Sequence, residues 1–372
     1  MSKFEELGVR KDFIRGLEEL KIIVPTEIQK KVIPILLEKN TDLVGQAQTG
    51  TGKTAAFGLP LLQTIDPQFN HIQALILCPT RELGQQVAKQ LFKYTKYSEK
   101  VFTEAVFGGA PIDLQIAALQ RPTHIVVATP GRLIDLIERE AVDLSEVMTL
   151  VLDEADEMLS MGFKEELDKI LNALSSVENK WLFSATMPEG IEQIVKQHLS
   201  KDAIHIKVGG KDVVNQKIQH QFLVCDDNDK FYILTEFLKT EKNNRGVIFC
   251  RTKVATQKLT KQLIAKNVLA DCIHGDLQQR ERDKAMRAFK NKAVQILVAT
   301  DVAARGIDIE GLSYVVHYQL PENEEYYTHR SGRTARAGKE GTSIAIINPN
   351  EVKQIRKYER YLSISFREIK AR

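Results

Sequence analysis

Short continuous runs of β-branched and other apolar residues recur along the chain at 74–78, 124–128, 149–153, 181–184, 246–250, 294–299, 314–317 and 343–347. They do not alternate apolar with polar, as strands with one wet face do. Each reads as a strand buried on both faces of a parallel sheet. Between them, residues 83–93, 163–174 and 252–266 carry apolar positions at helical spacing. Strand and helix in alternation predict an α/β architecture with crossover connections. The pattern breaks at 208–216, Val-Gly-Gly-Lys-Asp-Val-Val-Asn-Gln, where paired glycines and polar residues without helical period suit a linker. It divides the chain into 1–207 and 217–372, each large enough for a mostly parallel sheet flanked by helices. The last stretch, 351–372, is helical in pattern and rich in Lys and Arg. It reads as a solvated closing helix in preference to a nucleic-acid contact.

A length of 372 residues also favours two domains over one. With 43% apolar and 27% charged residues, the chain has the balance of a soluble globular protein with cores of its own. No apolar run approaches the length of a bilayer, so no membrane partner is expected. The start, Met-Ser-Lys-Phe-Glu-Glu, shows no apolar stretch behind a basic one. It does not read as a secretory signal, and a cytoplasmic location is expected. A formal charge of +3 does not decide for nucleic acid, because a basic groove can sit on a neutral surface. Cys78, Cys225, Cys250 and Cys272 have neither zinc-finger nor redox spacing, and each lies in or at the end of an apolar run. They are expected to be buried free thiols.

Three segments carry candidate chemistry. Residues 41–45 read as a strand, followed by Ala47-Gln-Thr-Gly-Thr-Gly-Lys53-Thr54 and then an apolar helix. Strand, glycine-rich turn and helix N-terminus form the context of a phosphate loop. Gly50 and Gly52 let successive N–H groups face an anion, and the helix dipole adds favourable charge. Lys53 would reach the β- and γ-phosphates of ATP, and Thr54 would offer a hydroxyl to Mg2+. An alanine, Ala47, stands where the general pattern begins with glycine. The second segment is Asp153-Glu154-Ala-Asp156, at the end of a buried strand, where ligands gather in open α/β sheets. Asp153 would hold hydrated magnesium and Glu154 would orient and deprotonate water; an acidic helix cap is the competing reading. The third is His329-Arg-Ser-Gly-Arg333-Thr-Ala-Arg336-Ala-Gly338. Arg333 and Arg336 share a face if the segment is helical, and guanidinium groups suit phosphoryl transfer; a solvated basic turn competes. Loop and arginines fall in different domains, so a site built from both would couple hydrolysis to domain closure.

In this order, these segments resemble the DEAD-box family of ATP-dependent RNA helicases, from residue 4 to about 349. Pro25-Thr-Glu-Ile-Gln29, Pro79-Thr-Arg-Glu-Leu83, Gly108-Gly109, Thr129-Pro-Gly-Arg132, Ser184-Ala-Thr186, Val247-Ile-Phe-Cys250, Gln279-Arg-Glu-Arg282 and Ala299-Thr-Asp-Val-Ala-Ala-Arg-Gly-Ile-Asp308 complete the set. The resemblance implies two tandem RecA-like domains, a bacterial member, and an adenine-recognition segment at 4–29 in which Thr26 and Gln29 read the base and Phe4 stacks on it. It implies that Gln48, Thr49, Gly50, Thr51, Gly52, Lys53 and Thr54 wrap the phosphates, with Gly306 and Asp308 lining the nucleotide from the second domain. It implies that Arg333 and Arg336 touch the γ-phosphate and that Ser184, Thr186, Asp156, Asp301 and His329 couple the domains. RNA-backbone contacts are implied for Thr80, Arg81, Gly109, Thr129, Arg132 and Thr300. The chain departs from the family's pattern at Lys21, Ile22, Glu27, Ser331 and Ala335, where the family usually has Gly, Phe, a second Pro, Ile and Gly. The activity implied is local unwinding of short RNA duplexes, or remodelling of RNA–protein complexes, driven by ATP and RNA. A DNA motor with the same engine and an ATP-dependent RNA clamp are the competing readings, and no protein partner is named by these residues.

Overall fold

The structure, a computed structural model, describes residues 3–48, 50–174, 177–208, 217–242, 244–304, 312–335 and 340–370. The chain forms two compact units, divided between Val208 and Gly209. Unit 1 holds β1 (Leu43–Gln46), β2 (Ala74–Leu77), β3 (Thr103–Val106), β4 (Ile125–Ala128), β5 (Thr149–Asp153), β6 (Asn179–Ser184) and β7 (Ile204–Lys207). Unit 2 holds β8 (Ile218–Val224), β9 (Gly246–Phe249), β10 (Ala270–Ile273), β11 (Ile296–Ala299), β12 (Tyr314–His317), β13 (Gly341–Ile347) and β14 (Arg367–Glu368). The sheets run β3-β4-β2-β5-β6-β1-β7 and β10-β11-β9-β12-β13-β8-β14. Counted from the first strand of each unit, the two orders are the same. Every pairing is parallel.

Both faces of each sheet are covered, which is why the central strands carry apolar residues at consecutive positions. In β2, Ala74 and Ile76 enter one apolar cluster while Leu75 and Leu77 enter the other; β4 and β5 divide in the same way. In unit 2, Ile248 and Val298 face one cluster and Val247 and Leu297 its opposite. The edge strands differ. β3 (Thr-Glu-Ala-Val) and β7 (Ile-His-Ile-Lys) are only partly buried, so they lack the continuous apolar signature and the sequence pattern passes over them.

The helix Lys53–Thr64 follows β1 and is buried nearly all round, with Phe57, Leu59, Leu61 and Leu62 in the core. Pro60 inside it costs about 3 kcal/mol of helix propensity. Burying those four side chains at about 1.5–3 kcal/mol each outweighs that. The loop ahead of the helix is thereby anchored in the interior.

Two expectations need correcting. All four cysteines are free, but only Cys78 and Cys250 are buried; Cys225 and Cys272 are half-buried. Cys272 lies on β10, an edge strand, and Cys225 lies just past the end of β8. The C-terminal stretch is helical only over Val352–Leu362. Ser363 turns left-handed at φ 54°, and Arg367–Glu368 adds a short parallel strand beside β8.

Candidate functional site

The sequence-predicted residues of unit 1 lie at the C-terminal ends of its strands, where parallel sheets place ligands. The sheet order divides them. Strands β5, β6 and β1 are adjacent and end in Asp153, Ser184 and Gln46, the last leading into the glycine-rich loop. Strands β3, β4 and β2 are adjacent on the other side and lead to Gly109, Thr129 and Thr80.

The loop turns through left-handed backbone at Gly50 (φ 80°) and Gly52 (φ 89°), a region that glycine enters without steric cost. Gly52 caps the helix Lys53–Thr64. Lys53 is buried, and its ammonium donates to the Ala47 carbonyl at 2.8 Å. The Thr51 hydroxyl closes the turn by donating to the Gln48 carbonyl at 2.7 Å, and the Ala47 N–H donates to the Ser184 carbonyl at 3.0 Å. Thr54 is half-buried in the first turn of the helix. Gln29 reaches this loop from the segment read as adenine-binding. Its Oε1 accepts from the Thr26 N–H at 2.9 Å and its Nε2 donates to the Gly52 carbonyl at 3.0 Å. A Cβ on Gly52 would collide with that amide. Phe4 is different. Its ring is 1% exposed and packed in the core, so as it stands it offers no face to a base.

Asp153 is buried at the end of β5, and its Oδ1 has no hydrogen-bond partner. Burial raises its pKa well above the ordinary carboxylate value, and the charge of Glu154 raises it further, against the pull of Lys53. A buried carboxylate oxygen without a partner fits a hard cation, which would remove that penalty. No cluster of three or more His, Cys, Asp or Glu side chains suited to metal occurs among the described residues. Glu154 stands at the N-cap of the helix Ala155–Ser160, yet its side chain makes no capping hydrogen bond. Its backbone is left-handed (φ 53°, ψ 52°), a conformation costing a non-glycine residue about 1–2 kcal/mol. A carboxylate held in strained backbone and not spent on its helix counts against the simple cap. Asp156 is engaged: Oδ2 accepts from the Thr186 N–H and hydroxyl, both at 2.8 Å, and the Ser184 hydroxyl donates to the Thr186 carbonyl at 2.6 Å. The acidic segment is thus tied to the end of β6.

On the other half of the edge, Thr80 caps the helix Arg81–Tyr94, accepting from the Leu83 N–H at 3.3 Å. Arg81 lies over the Phe107 ring at 4.4 Å. Gly109 is exposed and left-handed at φ 81°. Thr129 stands at the N-cap of the helix Pro130–Glu138, and its side chain makes no capping bond. Arg132, its side chain 10% exposed, donates to Gln115 at 2.8 Å and to the Ala110 carbonyl at 3.1 Å.

In unit 2, Thr300 follows β11 and is buried. Asp301 forms a two-armed ion pair with Arg330, at 2.5 and 2.7 Å. Arg330 is 1% exposed, donates to the Gln319 carbonyl at 2.7 Å and lies over the Phe249 ring. This arginine is a strut of the core, and losing either charge would strand the other at a cost of about 3–5 kcal/mol. Arg333 is half-buried and donates to the His329 carbonyl at 3.3 Å. Both line a shallow pocket with Asp301 and Tyr326. The helix Glu324–Ser331 stops at Gly332, so the helical-face argument for Arg333 does not hold: Arg333 sits in the turn beyond the helix. Arg336, Gly306, Asp308 and Thr49 lie outside the described residues. The sequence pattern missed Gln115 and Thr252. Thr252 caps the helix Lys253–Ala265 as Thr80 caps its own, after the equivalent strand. Only the repeated topology exposes that equivalence.

Residues 26–194 match the family described as DEAD/DEAH box helicase, and 229–338 match the helicase conserved C-terminal domain. The chain is 43% identical over 356 residues to the ATP-dependent RNA helicase CshA of Listeria monocytogenes, covering 96% of this chain and 68% of that protein. It is 42% identical over 360 residues to the DEAD-box ATP-dependent RNA helicase CshA of Geobacillus kaustophilus, covering 97% and 76%. Among solved structures, S. cerevisiae Dbp5 bound to RNA and ADP BeF3 matches with a TM-score of 0.92 at 30% identity, covering 100% of this chain and 96% of that one.

Proposed function

The chain belongs to the DEAD-box family of ATP-dependent RNA helicases, and on that premise we propose how its residues divide the work of an RNA-stimulated ATPase that unwinds RNA. Gln29 and Thr26 would read adenine, and the loop 48–54 would wrap the triphosphate, with Lys53 leaving the Ala47 carbonyl for a phosphate oxygen. Asp153 and Thr54 would hold magnesium, largely through water; the ion supplies positive charge to the phosphates. Glu154 would take a proton from the attacking water while the water oxygen bonds to the γ-phosphorus and the bond to ADP breaks. Positioning and charge dominate phosphoryl transfer, so an arginine supplied late can set the rate by about 10³ to 10⁵. Arg333 and Arg336 are proposed for that part, with Gly306 and Asp308 beside the nucleotide. Thr80, Arg81, Gly109, Thr129, Arg132 and Thr300 would hold the RNA backbone.

The partition of one sheet edge supports this reading most directly. Nucleotide residues end β5, β6 and β1, and the residues assigned to RNA follow β3, β4 and β2. The Asp156–Thr186–Ser184 bonds lie on the nucleotide side and would register phosphate loss at the end of β6. Opening a base-pair step costs roughly 1.4 kcal/mol on the DNA scale, so one ATP cycle suffices for a few pairs and the unwinding is local. No helix among the described residues is long and apolar enough to cross a membrane, and the proposed place of work is the cytoplasm. The test is ATP turnover against single-stranded RNA and DNA of one sequence. RNA should stimulate at least about tenfold more, because 2′-hydroxyls are the handle that separates the polymers. Equal stimulation by DNA would overturn the RNA assignment.

A further inference from the structure

The helix Ile112–Leu119, Ile-Asp-Leu-Gln-Ile-Ala-Ala-Leu, packs Ile112, Ile116 and Leu119 against the core of unit 1 but buries none of them fully. Gln115 is its one buried residue, at 8% exposure, while Leu114 is 70% exposed. Glutamine is mostly a surface residue, and a buried amide costs free energy unless its hydrogen bonds are met. Here they are. Its Nε2 donates to the Phe107 carbonyl at 3.1 Å; its Oε1 accepts from the Phe107 N–H at 3.1 Å and from Arg132 Nη1 at 2.8 Å. The amide pairs with both backbone groups of Phe107, as a neighbouring strand would, at the residue just before Gly108-Gly109. Arg132, held by Gln115, donates in turn to the carbonyl of Ala110, the residue just after that pair. The exposed glycines are therefore clamped on both flanks by one connected set of bonds. The Phe107 ring so fixed is the surface on which the Arg81 guanidinium lies.

We propose that Gln115 is the positioning residue of the RNA-backbone site in unit 1, setting the Gly108-Gly109 backbone and the Arg132 guanidinium in one fixed arrangement. The proposal rests on the assignment of Gly109, Arg132 and Arg81 to RNA made above. Gln115 itself touches no phosphate. It joins three segments that are far apart in sequence, at 79–83, 108–109 and 129–132, so that a single strand meets a preset surface. Without it the glycine pair regains its conformational freedom and Arg132 its rotamers, and RNA has to order both on binding.

The experiment compares the full-length chain with Gln115→Met, which fills the same space without hydrogen bonds, and with Gln115→Glu, which keeps acceptors for Arg132 and the Phe107 N–H. Steady-state ATPase is followed against single-stranded RNA concentration, with the KM for ATP and the thermal midpoint measured alongside. The expected result for Gln115→Met is a ~5- to 20-fold higher RNA concentration at half-stimulation. Its kcat at saturating RNA and its KM for ATP should stay within about twofold. Gln115→Glu should recover part of the RNA response. An unchanged RNA response in Gln115→Met overturns the proposal. So does a lowered thermal midpoint with parallel losses in the ATP and RNA responses, since that pattern marks a merely structural amide. Arg132→Ala in the same assay separates the causes. If it shifts the RNA response and Gln115→Met does not, only the positioning role fails; if neither does, the RNA assignment fails with it.

Discussion

At the scale of single residues, Asp153 is where fold and chemistry conflict. Its carboxylate is buried with one oxygen unpartnered, and burial with the Glu154 charge raises its pKa from 3.8. For an acid whose folded pKa is raised, stability is highest below the unfolded value. It is lost as pH climbs to the folded value and stays lost above it. Near pH 8 without nucleotide, wild-type protein carries that penalty and Asp153→Asn does not. The variant should be more stable to denaturant by about 1–3 kcal/mol, yet its RNA-stimulated ATPase should fall at least about a hundredfold. Denaturation at pH 8 beside turnover checks both; a variant less stable than wild type sinks the idea. Residues of this kind were legible because their chemistry fixes their spacing: Lys53 after two glycines, Asp153 and Glu154 after an apolar strand. Gln115 was not, because a lone amide on an apolar helix has no pattern, and its partners Phe107 and Arg132 are remote from it in sequence. Phe4, expected from its sequence position as a stacking ring, packs in the core as the structure stands.

At the scale of elements, the helix Glu324–Ser331, which leads into the Arg333 turn, rests on a buried polar network. The Tyr327 hydroxyl lies 2.6 Å from His220 Nδ1 and 3.1 Å from the Ser343 hydroxyl. Ser343 is 3.0 Å from His317 Nε2 and 2.9 Å from the Ser331 hydroxyl. Ser331 is a departure from the family's usual isoleucine, and the network absorbs its hydroxyl. Burial lowers the His220 pKa from 6.5 to about 4 and holds that of His317 well below 6.5, with Arg330 adding to the effect there. Both rings are neutral in the fold. Below pH 6.5 the unfolded chain takes up protons that the fold refuses. The stability of unit 2 should therefore be full above that pH and fall as pH drops toward 4, by about 3 kcal/mol through His220. Denaturation between pH 7 and 4.5 should show a slope that His220→Gln reduces by nearly one proton; an undiminished slope would remove His220 as the cause. Elements were legible in proportion to their burial. Central strands announce themselves as apolar runs, whereas β3, β7 and β10 sit at edges and mix Thr, Glu, His and Asp into theirs. The closing helix was placed, but its end at Ser363 depends on a left-handed residue that glycine's absence concealed.

At the scale of the whole molecule, two units repeat one seven-strand order, and chemistry was added unequally. The strand-end positions recur: Thr80 and Thr252 cap equivalent helices, and Thr129 and Thr300 follow equivalent strands. Only unit 1 carries the glycine-rich loop and the acidic strand end. In unit 2, Arg330 and Asp301 neutralise each other in the interior, which leaves Arg333, in the turn past the helix, as the described arginine of that cluster with a partly exposed side chain. With the glycine-rich loop in one copy of the scaffold, the part proposed for the other copy is the trigger. Arg333→Ala in the full chain separates grip from trigger. Binding of a fluorescent ATP analogue, through residues of unit 1, should stay within about twofold, while kcat at saturating RNA and ATP should fall about 10²- to 10³-fold. Intact catalysis with weakened nucleotide binding would assign Arg333 to the grip and leave the second unit without its proposed part in the reaction.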